Sequence, residues 1–86
     1  MSEYVEARYV KLALEEARSA KPNVAAKLIY DLLRDLSSLQ RLSEAREQTL
    51  KSIQLLALSL ARRSIRAREW DAANKATDAW CESALN

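Results

Sequence analysis

The chain has 86 residues, 49% hydrophobic and 30% charged, with a formal net charge of +2 and neither histidine nor glycine. That balance belongs to one folded domain, residues 1–86, rather than to a disordered segment. The missing glycine argues against tight β-hairpins and phosphate-cradling loops, and the missing histidine removes the commonest general base and metal ligand. Alanine, leucine, arginine and glutamate abound, which is the profile of helix formers.

The start, MSEYVEAR, is acidic and mixed, unlike the basic-then-apolar run of a secretory signal. Ser2 stands where it caps a first helix, expected from about Glu3 to Ser19. At roughly 100° per residue, Val5, Tyr9, Val10, Leu12, Ala13, Leu14 and Ala17 fill a wide apolar arc. Arg8, Lys11, Glu15 and Arg18 sit opposite. So broad an arc predicts a helix contacted on two sides, with Ala13, Ala17 and Ala20 forming an edge that a neighbouring backbone can approach closely.

Pro22 ends this helix and suits the first turn of the next, where its missing N–H costs nothing. The second helix places Ala25, Leu28, Ile29, Leu32, Leu33, Leu36 and Leu39 on one face and Lys27, Asp31, Arg34, Asp35 and Ser38 on the other. It is the cleanest amphipathic pattern in the chain. The short SAKPN turn makes the first two helices an antiparallel hairpin.

Ser43 followed by Glu44 signals a new N-terminus, for a third helix from about Glu44 to Arg66. It buries Leu50, Ile53, Leu56, Ala57, Leu60 and Ala61, while Leu55 and Leu58 fall off that face. A fourth helix, from about Asp71 to Leu85, turns Trp70, Ala73, Thr77, Trp80, Cys81 and Ala84 inward. No glycine or proline separates the last two helices, so a single helix over 44–85 is the alternative to a break near Arg66–Glu69. Polar Arg63, Asn74 and Thr77 weaken the 4,3-spaced seam that so long a helix would carry.

The two halves repeat weakly. Offsetting the chain by 48 residues sets Leu12 on Leu60, Ala13 on Ala61, Ala25 on Ala73 and Leu32 on Trp80. The stretch LARRSIRAREWDAA resembles the tetratricopeptide helical hairpin, with Leu60, Ala61, Trp70 and Ala73 in the places of that family's Leu, Gly/Ala, Tyr and Ala. LALEEARSAKPNVAA is similar through Leu12, Ala13 and Ala25. Two positions depart: Arg68 stands for the elbow glycine, and Thr77 for the large aromatic after the alanine. Within that family the small needle-subunit chaperones of type III secretion are also similar, through the IQLLALSL helix running into an arginine-rich elbow. The resemblance implies a concave apolar groove that cradles an amphipathic helix of an aggregation-prone subunit.

Enzyme chemistry finds no footing. The single cysteine, Cys81, rules out an intrachain disulfide and has no histidine to activate it, so a buried, inert thiol is expected. Glu15 and Glu16 point to different sides of a helix, and the pairs Asp31/Asp35 and Asp78/Glu82 read as solvated faces rather than cation sites. No cofactor or metal is expected. The longest apolar-rich run, Leu55 to Ala61, falls far short of the roughly 20 residues that cross a bilayer. A soluble, cytoplasmic protein is the default expectation.

The segment from Arg62 to Arg68 holds four arginines. Arg62, Arg63 and Arg66, with Lys51 and Arg46 upstream, would make a basic helix face able to neutralise phosphates. No aromatic interleaves with them to stack bases, and cations at a helix C-terminus also offset its dipole. The cluster is therefore read as an elbow whose arginine stems cover apolar surface, with nucleic-acid binding as the alternative.

The expected architecture is all-α, four helices in two antiparallel hairpins, either tetratricopeptide-like or a four-helix bundle. Trp70 and Trp80 read most simply as core residues, or as protein-binding anchors where the fold leaves one exposed, and a monomer this small cannot bury every one of Leu55, Leu58, Ile65, Leu33 and Tyr30. These seven residues are the candidate protein-binding surface, for another protein or for a second copy of the chain.

Overall fold

The structure, a computed structural model, describes residues 2–37, 43–64 and 66–85. Among them four helices follow in order: α1 (Glu3–Ser19), α2 (Pro22–Ser37), α3 (Glu44–Ala61) and α4 (Ala67–Leu85). Leu39, expected on the second helix, lies outside the described residues, as does Ile65.

The first three starts are those that the sequence marks. The Ser2 hydroxyl accepts the Val5 N–H at 3.2 Å, and the Ser43 hydroxyl accepts that of Arg46 at 3.2 Å. Glutamates in both first turns, Glu3 and Glu6 in α1 and Glu44 and Glu47 in α3, favour the positive end of the helix dipole. Pro22 is the first residue of α2.

The third helix ends earlier than its periodicity suggests, at Ala61 rather than Arg66, and the fourth begins earlier, at Ala67 rather than Asp71. One helix across 44–85 is thereby excluded. The stop is a hydrogen-bonded cap. Arg63 takes a left-handed backbone, φ 53°, while its N–H donates to the Leu60 carbonyl at 3.1 Å and that of Ser64 to Ser59 at 3.0 Å. These two bonds satisfy the end of α3 in the pattern that glycine usually serves. Arginine occupies that position at a steric cost.

Each helix contributes one buried stripe at 3,4 spacing: Ala7, Val10, Leu14 and Ala17 in α1, and Ala25, Ile29, Leu32 and Leu36 in α2. In α3 the stripe runs Arg46, Thr49, Ile53, Leu56 and Leu60, and in α4 it runs Trp70, Ala73, Thr77 and Trp80. Threonines in such a seam need partners, and Thr49 and Thr77 donate to the carbonyls of Ala45 and Ala73, at 3.2 and 2.7 Å. Each helix packs against its sequence neighbours, and α4 returns to pack on α1, which closes the ring of a four-helix bundle. The principal extents are 36 × 23 × 18 Å. Helices of 16 to 19 residues span roughly 24–29 Å, so they lie along the long axis.

Three expectations about burial are corrected. Val5, Tyr9 and Leu12, members of the wide apolar arc expected to be contacted on two sides, are exposed, and the buried stripe includes Ala7 instead. Ala61 is exposed because the cap turns the chain there, and Leu50 is only partly buried. Arg46, taken as part of a basic surface, is 1% exposed. Ala25 with Ala73, and Leu32 with Trp80, are buried at matching positions of the 48-residue offset, whereas Leu12 and Leu60 are not equivalent.

Candidate protein-binding surface

Because the core takes the alanine-rich stripe of α1, the larger side chains of that helix are left outside. Val5, Tyr9 and Leu12 follow at four- and three-residue steps and so line one side of α1. Tyr9 is 57% and Leu12 56% exposed. They face α2 across a groove of about 320 Å³, lined by Tyr9, Leu12, Ala13, Glu16, Leu28, Asp31 and Leu32. Val24, one turn before Leu28, is exposed and extends the apolar strip toward the α1–α2 turn. The lining carries two carboxylates, Glu16 and Asp31, and no cation. Asp31 also accepts from Arg34 of the same helix at 3.3 Å, a solvent-exposed pair. Neither Tyr9 nor Leu12 stood among the expected binding residues. The signal that would have found them is the breadth of the α1 arc, too wide for one buried seam.

The seven expected binding residues divide. Leu55 and Leu58 lie on the outer side of α3, 64% and 52% exposed. Leu55 also lines a hollow of about 240 Å³ between α3 and α4, with Ser52, Arg68, Glu69 and Ala72. Tyr30 is exposed beside α3, its hydroxyl donating to the Ala57 carbonyl at 3.4 Å, and Leu33 packs partly buried against the core. Trp70 and Trp80 are core residues, 8% and 0% exposed, and so are not surface anchors. Both rings stand on α4, which packs against α1 and α3. Ile65 lies outside the described residues.

The elbow arginines are all exposed: Arg62, Arg63, Arg66 and Arg68. They sit at the end of the bundle that also carries the α1–α2 turn, where Arg63 lines a cleft of about 550 Å³ with Pro22, Asn23, Ala26 and Leu60. The Glu69 carboxylate accepts the Arg66 backbone N–H at 3.0 Å, closing the first turn of α4. That bond holds the Glu69 pKa below its ordinary value.

The opposite end is tied by a buried arginine. Arg46 grips the Glu6 carboxylate with Nε and Nη2, both at 2.9 Å, and Nη2 also donates to the Leu36 carbonyl at 2.8 Å. Its guanidinium carbon lies 5.8 Å from the centre of the Trp80 ring. One side chain of α3 thus touches α1, α2 and α4. Nη1 is buried with no hydrogen-bond partner among the described residues. Beside it the Glu3 carboxylate accepts the Ser43 hydroxyl and, at 2.8 Å, the Trp80 indole N–H. The Ser43 bond first, then that of Trp80, hold the Glu3 pKa below its ordinary value against a small opposing effect of burial. This cluster is built inward, and its chemistry is that of a fastening.

Cys81 is partly buried. Among the described residues no group of three or more His, Cys, Asp and Glu side chains could hold a metal ion, and no helix is long and apolar enough to cross a membrane. Comparison with protein-family models gives no match, nor does comparison with curated proteins or with solved structures.

Proposed function

We propose that the chain is a non-enzymatic protein-binding module, an adaptor, inhibitor or chaperone, that receives an amphipathic helix in the groove between α1 and α2. The observation that carries this reading is the exposure of Tyr9 and Leu12 along a groove whose floor is Ala13, Leu28 and Leu32. Contiguous apolar strips with a polar rim serve as interaction sites on small proteins, and a helix laid into such a groove anchors through residues at i, i+3, i+4 and i+7. The resemblance to needle-subunit chaperones implies an occupant of the same kind. The module works without cofactor or metal, in the cytoplasm, where a lone Cys81 suits a reducing compartment.

The test is recovery of partners on the tagged chain from its native lysate, with and without nuclease, beside a Leu12→Asp variant. A stoichiometric protein that survives nuclease and is lost from the variant is the expected result. Equal recovery on both chains would overturn the groove.

The exposed elbow favours a second reading, in which Arg62, Arg63 and Arg66 hold nucleic acid. It predicts nucleic acid on the tagged chain, lost from Arg62→Glu and Arg66→Glu variants and from washes at raised salt.

A further inference from the structure

The protein-binding reading, on which this inference rests, leaves the occupant of the α1/α2 groove open, and the chain itself carries a helix face that matches it. Lys51, Leu55, Leu58 and Arg62 succeed one another at steps of four, three and four residues along the outer side of α3. The two leucines are more than half exposed, with a cation one turn beyond each. Between Lys51 and Arg62 no carboxylate lies on that line; it continues N-terminally to Glu47, one turn before Lys51, and Glu69 of α4 stands beside Leu55. The groove presents the complement, Tyr9 and Leu12 beside Glu16 and Asp31, with no cation in its lining.

We propose that α3 of a second copy of this chain occupies the α1/α2 groove, Leu55 and Leu58 against Tyr9 and Leu12, with Lys51 and Arg62 facing Glu16 and Asp31. The Arg34–Asp31 pair is exposed and gives way to the incoming cation at little cost. Ridge and groove lie on different sides of the ring, since α3 packs against α2 and α4 and stands diagonal to α1. Each copy therefore offers both surfaces at once. Such a contact is heterologous, and it propagates into a ring or an open file of copies rather than ending at a two-fold dimer.

One helix in one groove is a small interface, so assembly is reversible and rises with concentration. Opposed charges across it make assembly weaken as salt is raised, whereas purely apolar aggregation does not.

Sedimentation of the full chain from micromolar to millimolar concentration, at low and high salt, tests the proposal with Leu12→Asp and Leu55→Asp variants. Both positions face solvent, and circular dichroism of each variant confirms an unchanged melt. The wild type should pass to progressively larger species, and each variant alone should stay monomeric. An equimolar mixture of the two variants should form a heterodimer and stop there, because one intact ridge and one intact groove remain. A wild type that stays monomeric at millimolar concentration overturns the proposal, as does Leu55→Asp assembling like the wild type or a mixture that fails to pair. If the wild type stays monomeric while its lysate partner is still lost from Leu12→Asp, the groove reading stands with another protein as occupant. If that partner is retained as well, both readings fall.

Discussion

Removing the Arg46 side chain should be the most damaging single change outside the apolar core. The guanidinium makes two parallel bonds to Glu6 and one to the Leu36 carbonyl, all between 2.8 and 2.9 Å. Truncation removes the bond to that carbonyl and leaves the Glu6 carboxylate without its counter-charge. Breaking a buried pair from one side costs about 3–5 kcal/mol. The Glu6 side chain keeps 18% of its exposure, so water recovers part of the loss and the expected cost of Arg46→Met is near the lower bound, about 3 kcal/mol. For a domain of this size that lowers Tm by roughly 15 °C. It also removes a large share of a total stability of about 4–13 kcal/mol. The pair itself contributes less than this, because both charges had to leave water and Nη1 has no hydrogen-bond partner among the described residues. Arg46→Met combined with Glu6→Leu should therefore recover at least about 2 kcal/mol relative to the sum of the single changes. Urea titration followed by circular dichroism and by tryptophan emission measures all three variants. A cost under about 1 kcal/mol for Arg46→Met, or additive single and double changes, would refute the assignment of Arg46 as the tie between the four helices.

Arg63→Gly should stabilise the protein by about 0.5–1 kcal/mol, since the left-handed residue that caps α3 loses its steric penalty and the unfolded chain gains some freedom in return; a β-branched Arg63→Val should do the reverse, read from urea midpoints. Leu14→Ala should cost about 2–5 kcal/mol, whereas Leu12→Ser, at a solvent-facing position of the same helix, should change stability by under about 0.5 kcal/mol. Glu3 has a folded pKa below its ordinary 4.5, so its contribution is present above that pH and is lost as pH falls through the folded value. Thermal melts from about pH 5 down to pH 3 should fall less steeply for Glu3→Gln than for the wild type. Lys11, whose pKa Asp78 raises above 10.5, contributes the opposite sign: its stabilisation holds through neutral pH and is lost at higher alkalinity, and Lys11→Met should flatten that limb.

Much of the candidate surface was legible in the wrong place. Leu55 and Leu58 declared themselves because an otherwise regular stripe, Ile53, Leu56 and Leu60, leaves them no seat on the same face. Tyr9 and Leu12 did not, because α1 is apolar around most of its circumference and periodicity alone does not say which stripe meets the core. Alanine gives little pattern signal, yet Ala7 and Ala17 are two of the four buried positions of α1. Trp70 and Trp80 read most simply as core, with an anchor role as the second reading, and the bundle places both in the core. Arg46 was hidden by its residue type, although stepping back from Leu60 through Leu56, Ile53 and Thr49 lands on it.

What the sequence determined by itself is local: helix formers without glycine, serines at two starts, a proline at a third, and one turn, SAKPN, short enough to fold the first two helices back on each other. These depend on capping, propensity and chain length, all written within a few residues of where they act. The tertiary structure decided what depends on partners distant in the chain. It closed α4 on α1, gave the alanine stripe of α1 to the core, and buried Arg46 where Glu6, the Leu36 carbonyl and Trp80 await it. A charge enters a core only when its partners are already arranged there, and an apolar side chain stays outside only when the seats within are filled. Both conditions belong to the packed molecule, because no single helix contains the groups that meet them.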